Sequence, residues 1–480
     1  MKKLFAICDK TVFNVLLFKS VFLAVTLAIA SPFVHLILGD YVKVLLIWGF
    51  LIIVYQLFRQ RSKFKNPYLI LLVLFAGLYG ITILLNRQLN FSANLKALMY
   101  MVLIFVVIYG YGKERDKDTA LREIKVLITT FLCVAFCMAL ASFITYMFSI
   151  KGHVVYNEQW VYYGMFENRL WGIYNPSTGS AINTISILFS LGYGFYLTER
   201  KWQKILLTVN IFIHYICLIL TNSRTALYTL ILGVGLLLFL WIVYIRKEEK
   251  KPKAKRILRS VIISAAACVV LVVSVTPMKE AFSYLPGAVN SLRNDEANSK
   301  KTNKGKIERE ELTRLEELEN RPGGILTGRT ELWEAGIKTF TEAPLFGITR
   351  ENIPDRVGKN LDDNYWMRDL QRGGVHNIYL TVLISSGAVG FIPFMIFIVL
   401  LIIAILKTFY KCIINKENGI YLCIAVVLAI QLIMECLEGR ILYQVGGFYS
   451  LFWCLAGYVT YFTEKDKVNK NSKSIENLGK

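Results

Sequence analysis

Uncharged apolar runs recur along almost the whole chain, at lengths that leave it few folds to adopt. "VFLAVTLAIA", "VLLIWGFLIIVYQLF" and "IPFMIFIVLLIIAIL" are three of them. A helix needs about 20 apolar residues to cross about 30 Å of hydrocarbon. Inside that layer every backbone polar group must be bonded within the protein, which leaves helices or a closed barrel. Barrel strands alternate in polarity, and these runs are continuous. The fold class is therefore an all-α polytopic membrane protein. Composition agrees, with 55% hydrophobic residues, 13% aromatic residues and a mean hydropathy of +0.48.

We place about twelve spans in one multi-spanning domain, 1–480: near 12–38, 42–58, 67–85, 95–111, 123–149, 176–197, 203–221, 225–245, 257–276, 377–406, 419–437 and 443–462. The span opening at 377 is long and reads as a shallow helix up to Gly387. "MKK" followed by an apolar run ending "AIASPF" resembles a signal peptide. Asp9, Lys10 and Lys19 interrupt that run, and its length fits an uncleaved first span.

The net charge of +21 raises the question of nucleic acid, and its distribution answers it. With the N-terminus cytoplasmic, the inner segments hold about 30 Lys and Arg and the short outer loops about seven. The excess is topological, so no nucleic-acid partner is expected. Residues 463–480 become a cytoplasmic tail, and the setting is the cytoplasmic membrane with both termini inside. The nine cysteines are scattered with no CxxC pair. Cys133 and Cys137 share a helix face, a packing pattern before it is a metal site.

Two outer segments are long enough to carry function. Residues 150–175 are rich in Trp, Tyr and Phe. Residues 277–376 contain a strongly charged insertion, 290–321, whose first half has the composition of disorder and whose Lys306–Leu318 part has Glu–Arg pairs at helical spacing. A motif helix follows at about 328–343, ending before Pro344. Leu332, Ile337 and Phe340 are its expected buried stripe, with Trp333 and Gly336 beside it.

Four charged or titratable residues fall at the outer face. In "LTNSRTALY" the only polar break in the apolar stretch 205–245 puts Arg224 at the lip between two helices, where a cation faces protein or a wet cavity rather than lipid. Arg329 opens the motif helix, His376 precedes the next span, and Arg169 lies in "ENRLWGIYNPSTGSA". Singly, each has an ordinary reading: interfacial arginine, surface arginine, solvated histidine, partner of Glu167. Their shared face is what raises them.

"TNSRTA" after a span, "GRTELWEAGIKTFTEAPLFGI" in a long outer loop, "HNIYLTVLISSGAVGF" opening the next span and "RLWGIYNPSTGSA" upstream resemble the O-antigen ligase and polysaccharide-polymerase family. The resemblance covers most of 160–410, in order. Ser177 stands where the family has a second asparagine, and Thr225 where a glycine often follows "SR". The likeness implies a metal-independent, inverting glycosyltransferase without cofactor. Its donor is a glycan on undecaprenyl diphosphate, its acceptor a glycan hydroxyl, and its surroundings membrane lipid, with a flippase and a chain-length regulator as companions. On the family pattern Arg224, Arg329 and His376 are the catalytic candidates, and Arg169, Asn175 and Asn377 join the two arginines in substrate binding.

These residue types suit that chemistry. Arginine's planar donors match the oxygens of a departing diphosphate, most strongly where water is scarce. A histidine can take the proton of the attacking hydroxyl. A divalent metal at Asp362 and Asp363 is the competing source of positive charge, although no metal-ligand spacing supports it. Glu435, Glu438 and Arg440 border the last outer turn and are further candidates for the cavity wall. Polymerase is the favoured reading and ligase the alternative. A transporter would be expected to show internal repeats and ionisable groups at mid-membrane, and neither is found.

Overall fold

The computed structural model describes residues 11–59, 66–110, 116–156, 159–245, 253–297, 329–361, 366–367, 370–371 and 374–478. Its helices are α1 (Val15–Ala28), α2 (Pro32–Leu38), α3 (Tyr41–Arg59), α4 (Pro67–Leu85), α5 (Phe91–Leu103, prolonged by a π-helical turn Ile104–Tyr109) and α6 (Lys117–Met147). After a small sheet come α7 (Pro176–Tyr196), α8 (Lys201–Leu220), α9 (Arg224–Ile245), α10 (Lys253–Ser283) and α11 (Leu285–Ala297). The remainder is α12 (Arg329–Glu342), α13 (Ile353–Gly358), α14 (Ile378–Asn415), α15 (Ile420–Met434) and α16 (Gly447–Leu478).

Among the described residues eight helical stretches are long and apolar enough to cross a membrane, and α1 and α15 are shorter apolar helices. α7 and α16 fall outside that set. α7 buries Ser180, Asn183, Thr184, Ser186 and Ser190, whose polarity lowers its hydropathy. Its hydroxyls bond back along the helix, as from Thr184 to Ser180 O at 3.0 Å and from Ser186 to Ile182 O at 2.8 Å. Small residues and internally satisfied hydroxyls let helices approach closely inside a membrane. α7 and α8 do so, with His214 Nδ1 and Asn183 Oδ1 2.7 Å apart. Outward faces are apolar, as at Ile37, Leu84, Val270 and Ile392. Cys133 and Cys137 lie on such an outward face of α6.

The all-α expectation misses one element. The aromatic segment forms an antiparallel sheet of β1 (Gly152–Tyr156), β2 (Gln159–Phe166) and β3 (Arg169–Gly172), in that order. Valines and aromatics suit a half-buried pleated surface. Glu167 and Asn168 both take positive φ, 48° and 53°, and make the two-residue turn whose twist matches a hairpin. That turn favours Asn-Gly, so Glu-Asn hides it in the sequence. Two further expectations change. The chain stays helical to Ala297, inside the stretch read as disordered, because α11 continues the helical run of α10. In α12, Leu332, Ala335, Gly336 and Thr339 are buried, while Ile337 is exposed. Positions 332, 335, 336 and 339 make the continuous stripe, and 337 lies well round the helix from it. The rest of the charged insertion, the helix expected at 306–318, and Asp362 and Asp363 lie outside the described residues.

The feature that shapes the interior is the break in α14. Gly387 adopts φ 60°, ψ −173°, freeing backbone groups on either side. The segment from Pro344 to Thr349 runs alongside and takes them. Ile348 N–H donates to Ile384 O at 3.0 Å, Thr349 N–H to Ser385 O at 2.9 Å, Ala388 N–H to Pro344 O at 2.8 Å and Val389 N–H to Leu345 O at 3.1 Å. Non-helical backbone at depth is tolerated only where protein satisfies it in this way. A Cβ on Gly387 would stand 2.2 Å from Leu345 O, so only glycine fits. On its other side the strap is held by Thr82 Oγ1, donating to Phe346 O at 2.8 Å, and by Asn86 Nδ2, donating to Gly347 O at 3.1 Å. A second small core of Leu332, Ile348, Ile353, Val357, Trp366 and Leu370 seats α12 and α13 on the bundle.

Candidate functional site

The end of the bundle that carries the sheet gathers the sequence candidates around one carboxylate. α12 starts at Arg329, whose Nη2 lies 3.4 Å from Glu438 Oε1. One turn on, Trp333 Nε1 donates to Val375 O at 2.9 Å and so fastens the loop that presents the next residue, His376. Gly336 lets α12 press against α14, since a Cβ there would meet Ile384 Cδ1 at 2.8 Å. His376 has φ 50°, a left-handed conformation that costs a non-glycine residue about 1 kcal/mol. Its Nδ1 is 3.7 Å from Glu438 Oε2. Arg440 completes the set with Nη2 3.0 Å from Glu438 Oε2, while its Nη1 donates to Ser177 O at 2.9 Å.

Glu438 is thus shared by two guanidiniums and an imidazole, with its side chain 13% exposed. Burial alone would raise its carboxyl. Arg440, then the hydrogen bond and charge of His376, then Arg329 outweigh that and hold it down at about 2. The turn that carries it is itself fixed. Buried Glu435 accepts Arg440 N–H at 2.7 Å and Ile441 N–H at 3.3 Å through Oε2, and its carbonyl takes Ile378 N–H at 3.0 Å. The last of these bonds ties the start of α14, next to His376, to the Glu438 turn.

The other candidates divide. Arg224 is the first residue of α9 and is exposed, with no hydrogen-bond or ion-pair partner among the described residues. Its neighbours Ser223 and Thr225 line a narrow crevice shared with Ser177, Glu438 and Arg440, which puts Arg224 on the rim of the same site. Arg169 does not reach Glu438. Its Nε donates to Thr221 O at 2.9 Å, and Asn222 Nδ2 donates to Asn168 O at 2.5 Å. Lys279 of α10 also bonds Asn222 Oδ1. The sheet and α10 therefore grip the α8–α9 turn on which Arg224 stands. Asn175 and Asn377 are helix caps: Asn175 Oδ1 accepts Ser177 N–H at 3.0 Å, and Asn377 Oδ1 accepts Leu380 N–H at 3.0 Å. In this geometry each positions a helix start beside the site.

Beside the cluster a cavity of about 840 Å³ opens at the same end, between the α1–α3 connection, α5 and residues 440–449. Arg440 lines it as well as meeting Glu438, so this one side chain joins the cavity wall to the cluster. Such an array can hold an anion, orient an imidazole and shield a reacting centre from bulk water. Sequence reasoning named Glu438 and Arg440 only as wall residues. Their central position arises from a turn that follows α15 by a few residues, and nothing local in "CLEGRILY" gives its direction. Arg350, which ends the "GITR" of a strap that runs into the bundle, was not among the sequence candidates.

No curated protein is significantly similar to the chain. Residues 206–395, which include Arg224, Arg329 and His376, match the family model described as O-Antigen ligase. Over that region the chain is similar to the O-antigen ligase family, and its apolar helices make it a membrane protein.

Proposed function

We propose that the protein is a surface-polysaccharide polymerase. It would move a glycan from an undecaprenyl diphosphate-linked donor to an acceptor sugar hydroxyl, at the outer face of the cytoplasmic membrane. The observation that carries this reading is the convergence of Arg329, His376 and Arg440 on Glu438 beside a large cavity.

In the proposed step His376 Nε2 accepts the proton of the acceptor hydroxyl, while Glu438 holds the Nδ1 side of the ring. The hydroxyl oxygen bonds to the anomeric carbon as the carbon–phosphate oxygen bond breaks. The electron pair leaves on the diphosphate, whose growing charge meets Arg329 and Arg224. Displacement in one step inverts the anomeric configuration. Glu438 keeps the cations together until the diphosphate competes for them. The arginines supply the positive charge that a divalent cation otherwise provides, so turnover is expected to survive EDTA.

Ligation of a finished glycan to another acceptor uses the same donor and the same residues, and the matched family description favours keeping it as the second reading. Incubating purified protein with a synthetic undecaprenyl diphosphate repeat unit separates the two. A ladder of products supports polymerisation, and a single transfer to another acceptor supports ligation. No transfer in either format, with folded protein, refutes both. A flippase supplying the donor and a regulator of chain length are the expected companions in the membrane.

A further inference from the structure

Arg350 lies at the end of the strap that satisfies the break in α14, and it is 8% exposed. Its backbone N–H donates to Tyr79 Oη at 3.2 Å. Its guanidinium, by contrast, has no hydrogen-bond or ion-pair partner among the described residues. An unpaired buried guanidinium is costly, and buried charges are ordinarily matched by carboxylates or carbonyl oxygens. Arg329 and Arg440 share Glu438, whereas Arg350 has no such carboxylate among the described residues.

Its surroundings are those of a site. A Cβ on Gly374 would stand 3.1 Å from Arg350 Nη2, so the guanidinium packs against the loop backbone two residues before His376. Its charge also reaches the hydroxyls of Tyr443 and Tyr449. Both tyrosines line the 840 Å³ cavity, as do Glu351, Arg440, Lys43 and Lys96. Arg350 therefore lies behind the wall formed by its neighbour Glu351, between that wall and the His376 loop. Everything that places it there is fixed. Asn94 Oδ1 receives Glu351 N–H at 3.1 Å, and Asn90 Nδ2 donates to Asn352 Oδ1 at 3.0 Å.

We propose that Arg350 is a substrate-binding residue of this cavity, taking an oxyanion carried by a substrate. The oxyanion is a phosphate of the lipid-linked donor or a carboxylate of an acidic sugar. A guanidinium forks two oxygens of either group, and among the described residues no carboxylate competes for it. The identity of the carrier rests on the glycan-transfer reading, and the binding itself does not.

The test is thermal unfolding of the full-length protein in lipid nanodiscs at constant ionic strength, with inorganic pyrophosphate or glucuronate as probe. At least one probe is expected to raise the wild-type midpoint. Arg350→Met is expected to weaken the apparent affinity by at least about tenfold, with a ligand-free midpoint equal to or above wild type, because a buried unpaired charge has been removed. A response to pyrophosphate assigns the site to the donor, and a response to glucuronate assigns it to an acidic glycan.

No response in wild type with either probe overturns the proposal. So does an undiminished response in Arg350→Met, or a lost response accompanied by a lower ligand-free midpoint. If Arg350→Met does not yield folded protein, Arg350→Lys answers the same question. It keeps the charge but not the fork, and unchanged affinity there also overturns the proposal. Failure of glycan transfer would leave this binding intact, so the two readings fail separately.

Discussion

Replacing Glu438 by glutamine keeps the size of the side chain and removes the charge that Arg440, Arg329 and His376 share at 3.0, 3.4 and 3.7 Å. A carboxyl held at about 2 against an ordinary 4.5 corresponds to about 3 kcal/mol of folded-state stabilisation. The folded pKa is depressed, so this contribution is fully present above pH 4.5 and is lost as pH falls through 2. At pH 3 about half of it remains. Thermal or denaturant unfolding of wild type and Glu438→Gln from pH 7 to pH 3 measures it directly. The variant is expected to be less stable by about 3 kcal/mol at pH 7, with the gap narrowing below pH 4.5. Adding Arg440→Gln to Glu438→Gln should recover part of the loss, since one of the stranded cations goes with it. A gap that stays constant across this range, or a variant as stable as wild type at pH 7, would refute the idea that Glu438 is the counter-charge of the site.

Four further outcomes follow from the geometry. His376→Ala should lower kcat by about 10² to 10⁴ with little change in donor KM, measured with the lipid-linked repeat unit. Arg224→Ala should stay within about 0.5 kcal/mol of wild-type stability, because the side chain is exposed and unpaired among the described residues, yet lower turnover by at least tenfold on the order expected for a lost charged hydrogen bond. Asn377→Ala should cost about 1 kcal/mol in stability. Asn377→Ser, another good cap, should restore both stability and turnover; rescue of stability without turnover would argue for contact with substrate instead. Gly387→Ala meets Leu345 O and a positive φ together, and should yield protein that is markedly less stable, with accelerated proteolysis near 344–349.

Much of this molecule is legible locally. Apolar runs marked the helices, and Gly387 marked a change in the helix opening near 377. Each of these signals lies within a few residues of its effect, through transfer free energy and backbone freedom. The burial of α12 was less legible. Its stripe runs through Ala335, Gly336 and Thr339 because small residues meet α14 closely, and Ile337 was left outside. The sheet was hidden because a hairpin turn of Glu-Asn lacks the glycine that usually advertises it.

The candidate site shows the same division. The sequence by itself indicated that Arg224 falls at the turn between two helices and that Arg329 and His376 fall at helix starts in or after the long connection, because polar residues at the ends of apolar runs have nowhere else to go. Only the tertiary structure decided what they meet. Glu438 lies 109 positions from Arg329. Arg350 reached its place because broken-helix carbonyls at Ile384 and Ser385 needed donors from Ile348 and Thr349. The physical reason is that an unpaired buried charge or backbone group can be satisfied by any suitable partner, wherever it lies in the chain. Local hydrophobicity fixes where a segment starts and stops, and long-range satisfaction of buried polar groups fixes which residues share a site.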